Sequence, residues 1–199
     1  MQKKDKYIIA LIGVVYLIFR SMGTKAAPTM TNKFTFSKFK KPGVADKLKL
    51  LVPSLIKAGF NTDHKLKLGI SQLLLETGQF KSGSIYETNN NYSGIKYICK
   101  DFQKNATRGS DVPPGEKKPP ANRCGNFYAK FKDNDAWAVD YFRILNLVRR
   151  GNDIGKPIEA VDVNDFNSRL VKNGYYDANK PGAKESYLKN LNWFYNNIN

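Results

Sequence analysis

Apolar side chains recur at intervals of three and four residues where the chain first shows a regular pattern. In residues 44–59 this spacing predicts a helix, and Gly59 stands where a terminating glycine is expected. Residues 61–63, an Asn-Thr-Asp run, offer capping oxygens for a second helix, which we expect to end at Gly78. The apolar positions of the two helices are Leu48, Leu51, Leu55 and Ile56, then Leu66, Ile70, Leu73 and Leu74.

Three further helices are predicted in the second half of the chain. The clearest opens at Asp135 and keeps a broad apolar face through Arg150. Another covers residues 163–173 and is closed by Gly174, and the last covers residues 183–198. The side chains expected to face inward are Trp137, Tyr141, Ile144, Leu145 and Val148 in the first of these helices, and Tyr187, Leu188, Leu191 and Phe194 in the last.

Between the two helical parts, residues 79–131 contain clusters of Gly, Asn, Ser and Pro, which predict loops and short strands. Residues 125–131 are the candidate strand. Residues 28–43 alternate Lys, Phe and Thr without a helical stripe and are expected to form an exposed linker. The pattern thus predicts a mainly helical α+β domain over residues 44–199, with a small irregular β/loop lobe.

The N-terminus has the layout of an export signal. Lys3, Lys4 and Lys6 precede an apolar run over residues 7–19, and Arg20 and small residues follow. This run is shorter than the roughly 20 residues that comfortably span a bilayer. We therefore expect residues 1–27 to be a cleavable signal peptide, with an uncleaved signal anchor or a buried core helix as alternatives. Export would place the domain in the periplasm, outside the cell, or on the outer face of a membrane.

The chain carries 33 basic and 17 acidic residues, a formal net charge of +16. Such a charge predicts attraction to polyanions, which include nucleic acid, acidic membranes and anionic cell walls. The basic residues are spread along every segment and no nucleic-acid-binding signature accompanies them, so nucleic acid is not expected as a partner. We expect a monomer that binds an anionic cell-wall or membrane surface.

Two cysteines, Cys99 and Cys124, flank a segment rich in Lys, Pro and Gly. In an exported protein an even number of cysteines suggests a disulfide, and closing a loop of this order contributes roughly 3 kcal/mol. Zinc is disfavoured, because His64 is the sole histidine and the cysteines lack the paired spacing of a structural site. No metal is expected.

Glu76 stands out because it ends an apolar helix beside a predicted loop. A carboxyl group that is partly desolvated there favours its neutral form, which raises the pKa toward the range that suits a proton donor. The alternative is an ordinary solvated carboxylate at the end of a helix. The helix dipole disfavours an anion at that end, so the position costs some stability unless it has a use.

Two motifs lie close together in this region. The first consists of Gln72, Leu75, Glu76, Thr77, Gly78 and Ser82, and the second of Asn90, Asn91, Tyr92, Ser93, Gly94, Ile95 and Lys96. Together they resemble the signature of glucosaminidase domains, a lysozyme-like family of peptidoglycan hydrolases that includes flagellar-rod and autolysin enzymes. The similarity extends over about residues 44–198 and includes a short strand at residues 127–131 and an aromatic turn at residues 174–177.

The resemblance implies roles for individual residues. Glu76 matches the catalytic general acid. Tyr175 matches an aromatic residue at the substrate cleft that steadies the transition state or the N-acetyl sugar, with core packing as the alternative. Asn90, Asn91 and Gly94 match the turn that faces the catalytic helix, where turn chemistry is favoured over direct substrate contact.

Two positions depart from the family pattern. Where the family has an aromatic residue after Glu-x-Gly, this chain has Gln79 and then Phe80, so Phe80 is a candidate sugar-binding ring. Where the family has Phe before Gly-Ile-Lys, this chain has Ser93, and the neighbouring Tyr92 is a second candidate for substrate binding.

A second catalytic carboxylate would have to come from the lobe, where Asp101, Asp111 and Glu116 are candidates and Asp111 is preferred. Without it, the 2-acetamido group of the substrate could attack the anomeric carbon. The resemblance implies hydrolysis of the N-acetylglucosaminyl β-1,4 bond of peptidoglycan glycan strands, with no cofactor.

Several other functions stay open at this point. A lytic transglycosylase or a muramidase would share the fold and the glutamate. A non-catalytic module that binds cell wall or nucleic acid would need only the basic surface. A cysteine peptidase is least favoured, because His64 and the cysteines match no such pattern.

Overall fold

The computed structural model describes residues 34–81, 85–98, 103, 105–109, 127–148, 154–176 and 182–199. Residues 34–199 group into one compact unit. The predictions for residues 1–27, for the Cys99–Cys124 disulfide and for the acids of the lobe lie outside the described residues.

The described residues are mainly helical, with a two-stranded sheet, and the α+β class is confirmed at this level. The elements in chain order are α1 (Val44–Ala58), α2 (Asp63–Glu76), α3 (Ile85–Asn89), β1 (Ala106–Arg108), β2 (Ala129–Phe131), α4 (Asn134–Leu145), a 3₁₀ turn (Pro157–Glu159), α5 (Val163–Lys172) and α6 (Ala183–Asn197).

Helix α2 lies at the centre of the packing. It is in contact with α6, α1 and the 3₁₀ turn, while α1 also packs against α4. Its side chains are buried on nearly all faces from Leu66 to Leu74. Gly69 lets the ring of Phe60 approach so closely that an added Cβ would lie 2.4 Å from that ring. The C-terminal end of α2 is therefore the place where this buried helix reaches the surface.

Side-chain caps fix the starts of three helices. Thr62, Asp133 and Asp162 each accept a hydrogen bond from the backbone amide three residues later. Asp135, predicted to open α4, lies within the first turn and binds Ser54 at 2.6 Å and Lys57 at 2.5 Å on α1. These contacts hold α1 against α4.

Helix α4 ends at Leu145, and its predicted extension to Arg150 is wrong. Asn146 caps the helix, and the following Leu147 and Val148 are 50% and 40% exposed. Because these two side chains are not buried, packing does not support another turn, although their spacing continues the apolar stripe.

The lobe contains one antiparallel pair of strands in the described part of the chain. Ala106 pairs with Phe131 and Arg108 with Ala129, so β2 forms the last three residues of the predicted strand 125–131. Helix α3 was not predicted, since one and a half turns are too short to show a helical period.

The predicted exposure of residues 28–43 is wrong for their last part. Phe34, Phe36 and Phe39 are 8%, 4% and 6% exposed, and the Phe39 ring stacks 6.2 Å from that of Phe194 on α6. The backbone of Thr35 is hydrogen-bonded to that of the final residue, Asn199. Alternating phenylalanines here reflect docking onto the helical body rather than a solvated linker.

Among the residues that the structure describes, no helix is long and apolar enough to cross a membrane.

Candidate active site

Glu76 is the last residue of α2, and an unusual turn follows it. The amide of Gly78 donates to the carbonyl of Leu75, and that of Gln79 to Leu74, which is a Schellman ending with glycine in the left-handed region. The next two residues are also left-handed, with φ of 57° at Gln79 and 56° at Phe80. Left-handed geometry costs roughly 1–2 kcal/mol for a residue with a side chain, so tertiary contacts must hold this turn.

Thr77 and Lys41 supply two of those contacts. The Thr77 hydroxyl donates to the carbonyl of Leu73 at 2.8 Å and accepts from the amide of Phe80 at 3.1 Å. The Lys41 ammonium donates to the carbonyl of Gly78 at 2.8 Å. The turn reverses the chain directly after Glu76, which leaves the carboxyl group at an open end of the helix.

The Glu76 side chain reaches solvent, yet its carboxyl group has protein atoms on most sides. Burial raises the pKa of Glu76, and the hydrogen bond from Tyr187 and the nearby amide of Gln72 oppose that rise. The Tyr187 hydroxyl donates to Glu76 Oε1 at 3.0 Å.

Three phenols respond to the charge of this carboxyl group. Tyr187 on α6 is bonded to it, and Tyr141 on α4 and Tyr175 after α5 are near enough for its charge to raise their pKa values. The pKa of each is raised, first by burial and also by the charge of Glu76. They therefore remain protonated at ordinary pH and can donate hydrogen bonds. Tyr175 also donates to the carbonyl of Ser93 at 3.4 Å, which connects the site to the loop.

Tyr175, Tyr176 and Tyr187 form what we call the tyrosine cluster, all three half-buried. The rings of Tyr176 and Tyr187 stack 4.0 Å apart, and the Tyr176 hydroxyl donates to Asn167 Oδ1 at 2.6 Å. The charge of Glu76 contributes to the raised pKa of Tyr175, and a role of Tyr175 at a substrate cleft stays a prediction.

The Asn-Asn motif shapes the loop at residues 90–95. Asn90 is left-handed, with φ 47°, and its amide donates to the carbonyl of Phe131 at 3.0 Å. The Asn91 amide is 1% exposed, donates to the carbonyls of Ile95 and Ala129, and accepts from the amide of Ile95. The bonds to Ile95 close the turn, and the bonds to Phe131 and Ala129 join it to β2. Gly94 has φ 64° and is exposed.

Phe80 and Tyr92, the two candidate sugar-binding rings, are 6% and 8% exposed. With Tyr86 and Trp137 they form what we call the inner aromatic cluster, in which Tyr92 lies 4.9 Å from Trp137 and 5.6 Å from Tyr86. Both rings therefore offer little surface to a ligand. Ser93 accepts from the Trp137 indole at 3.0 Å, so the departure from the family pattern supplies a partner for a buried N–H.

The sequence pattern marked Tyr187 as a core position and Gln72 as part of a motif, but assigned neither to the site. Tyr187 could have been found from its place on the helix that follows the aromatic turn, because a phenol has an apolar ring and a polar tip. Gln72 could have been found as a polar residue one turn before Glu76 on the same face of a leucine-rich helix.

A separate cavity of about 440 Å³ lies against the hairpin. Its lining includes the basic residues Lys130 and Lys132 and none of the residues around Glu76. Within the described ranges, no group of three His, Cys, Asp or Glu side chains could hold a metal ion.

No family model, curated protein or solved structure matches the chain.

Proposed function

We propose that this protein is a lysozyme-like peptidoglycan hydrolase of the glucosaminidase type, with Glu76 as its general acid. The observation that carries the proposal is the environment of Glu76. Its carboxyl group lies at the open end of a buried helix, its pKa is raised by burial, and the Tyr187 phenol donates to it. A raised pKa lets a carboxyl group keep its proton to a higher pH and deliver it to a leaving group.

In the proposed reaction Glu76 donates its proton to the glycosidic oxygen as the bond from that oxygen to C1 breaks. The departing oxygen keeps the electron pair of the bond and leaves as a hydroxyl group. The 2-acetamido carbonyl oxygen of the same sugar attacks C1 from the opposite face. Water then attacks C1 while the bond from C1 to the acetamido oxygen breaks, and the electron pair of that bond restores the acetamido group. The attacking water passes a proton to the Glu76 carboxylate, which regenerates the acid.

This route needs no second carboxylate, and among the described residues no other acid contributes to the pKa shift of Glu76. Tyr175 would hold the acetamido group or the charge that develops on the sugar ring, because its phenol stays protonated beside Glu76. If Asp111 contributes instead, the second step would pass through that carboxylate.

The net charge of +16 fits an enzyme that must stay close to an anionic wall. We propose that the domain is exported and works as a monomer on glycan strands. Binding to purified wall should then weaken as salt rises, because charges are screened beyond ~8 Å at 0.15 M ionic strength. Pelleting with wall that does not change between low and high salt would contradict this attraction.

The direct test is digestion of purified peptidoglycan by the full chain and by its Glu76→Gln variant, with mass analysis of the products. We expect new N-acetylglucosamine reducing ends from the parent protein and a loss of at least about 100-fold in the variant. Glu159→Gln is the matched control, because Glu159 is an exposed glutamate that pairs with Lys156 on the 3₁₀ turn. It should retain full activity.

The masses also separate the related functions. Products that lack one water would identify a lytic transglycosylase, and N-acetylmuramic acid at the reducing end would identify a muramidase. Wall binding without any cleavage, or full activity in Glu76→Gln, would overturn the enzymatic proposal.

A further inference from the structure

Gln72 places an unused hydrogen-bond donor inside the candidate site. Its side chain is 0% exposed, and its Nε2 has no hydrogen-bond partner among the described residues. A buried amide N–H without a partner loses its hydrogen bonds to water and gains none in the protein, so an unpaired group of this kind needs an explanation. Gln72 is four residues before Glu76 on α2, and the two side chains therefore share one face of the helix.

The orientation of this amide is fixed by Tyr141. The Tyr141 hydroxyl lies 2.5 Å from Gln72 Oε1 and 2.8 Å from the carbonyl of Gly69. The oxygen of the Gln72 amide is the atom that lies beside the Tyr141 hydroxyl. The nitrogen is on the other branch of the planar amide and therefore points away from Tyr141.

Glu76 is the charged group on that side. The Gln72 amide acts on the carboxyl of Glu76 and on the phenols of Tyr175 and Tyr187, and in each case it lowers the pKa. Its nitrogen lies close enough for this effect but does not reach hydrogen-bond geometry with any of these described groups. The donor is thus held beside the acid without being bound to it.

We propose that Gln72 is a positioning residue for Glu76, whose Nε2–H donates to the carboxylate once Glu76 has given up its proton. The catalytic role of Gln72 rests on the proposed function. The effect of Gln72 on the pKa of Glu76 does not depend on that function. When the proton leaves, the carboxylate gains a full charge in a poorly hydrated place. Tyr187 already donates to Oε1, and Gln72 supplies a second donor from the buried side.

The proton transfer would become less favourable without Gln72. The carboxylate would lose a donor that favours its charged form, so Glu76 would hold its proton more tightly. Tyr141 acts on Glu76 only through Gln72, because it binds the oxygen of the Gln72 amide and so keeps the nitrogen turned toward the site.

The test is a ¹³C NMR titration of the Glu76 carboxyl in the full chain, compared with the Gln72→Met variant. We expect the pKa of Glu76 to rise in that variant, and kcat/KM on peptidoglycan to fall by roughly tenfold or more. Gln103→Met is the matched control. Gln103 is also a buried glutamine, 3% exposed, but it binds Lys96, Ile98 and Asp140 in the lobe. That control should leave the Glu76 titration unchanged.

An unchanged Glu76 titration in folded Gln72→Met would overturn the proposal. If Gln72→Met does not fold, Gln72→Glu keeps the shape of the side chain and puts an acid in its place. The two carboxyl groups should then titrate as a coupled pair, and independent titrations would also overturn the proposal. Because the titration needs no substrate, it separates a failure of this inference from a failure of the proposed enzymatic activity.

Discussion

The two aromatic clusters of this protein use similar side chains for different ends. In the inner aromatic cluster, the rings of Phe80, Tyr86, Tyr92 and Trp137 are 0–8% exposed and pack on one another, mostly edge to face. In the tyrosine cluster the rings are half-buried, and their hydroxyls bind a carboxylate, a backbone carbonyl and an amide. Both clusters are close in sequence to motif residues, yet the second one alone reaches Glu76.

An aromatic residue that is near Glu76 in sequence is therefore not always near its carboxyl group in the fold. Tyr92 adjoins the motif, but its hydroxyl donates to Asn134 at 3.1 Å, away from the acid. Tyr187 is 111 residues away from Glu76 in sequence and binds it directly. The hydrogen-bond partner of the hydroxyl thus distinguishes an aromatic residue that only packs from one that contacts Glu76. Mutations in the two clusters should therefore have different effects on stability and activity.

The largest effect is expected from Trp137→Ala in the inner aromatic cluster. Trp137 is fully buried, packs on Tyr92 and Tyr141, and donates to Ser93. Its loss leaves a cavity and an unpaired hydroxyl, and we expect a decrease of about 3–5 kcal/mol in the free energy of unfolding. Urea unfolding followed by circular dichroism would measure it. A decrease below about 1 kcal/mol would mean that the cluster is not a structural core.

Tyr187→Phe should affect activity more than stability. The ring keeps its stack on Tyr176 but loses the donor to Glu76, so kcat/KM should fall roughly tenfold while the free energy of unfolding changes by less than about 1 kcal/mol. Because that donor lowers the pKa of Glu76, the pH at which activity falls off on the alkaline side should move upward. A pH profile identical to that of the parent would mean that the Tyr187 hydroxyl does not influence Glu76.

Tyr92→Phe is the matched removal of a hydroxyl from the inner aromatic cluster. It deletes one partly buried hydrogen bond to Asn134 and should cost about 1 kcal/mol of stability. The rate on peptidoglycan and its pH profile should stay as in the parent protein. A tenfold loss of activity would show that Tyr92 contacts the substrate after all.

The smallest effect concerns the stability of Glu76→Gln. The pKa of Glu76 is raised above 4.5 in the folded protein, so its neutral form is favoured by folding. The stabilising contribution of this carboxyl is full below pH 4.5 and is lost as the pH rises through the raised value. Glu76→Gln should therefore have a slightly higher Tm than the parent at pH 7, and the difference should vanish below about pH 4.5. A variant that melts lower than the parent at pH 7 would contradict a desolvated carboxylate.

Local rules were enough to predict the five longer helices, but not the short helix α3 or the end of α4. Gly59 and Gly174 end α1 and α5, and an oxygen within residues 61–63 starts α2, because caps depend on neighbours along the chain. The apolar spacing wrongly predicted that Val148 is buried. Burial depends on which elements pack nearby, and the spacing of apolar residues does not contain that information.

The candidate site could be predicted only where it depends on residues that are neighbours along the chain. Glu76 could be found because its helix position and motif are local in sequence. Gln72 and Tyr187 acquire their roles from contacts between α2, α4 and α6, which depend on the tertiary packing. The turn of left-handed residues at Gln79 and Phe80 was also hidden, because neither residue type favours that geometry.

The docking of Phe34, Phe36 and Phe39 has a practical consequence for handling the protein. A shortened chain that began at Val44, where the first helix starts, would uncover the Phe39 contact on Phe194 and delete the Lys41 bond to the turn after Glu76. Such a fragment would expose an apolar surface on its last helix, and we expect it to self-associate. Truncation should therefore stop before residue 34.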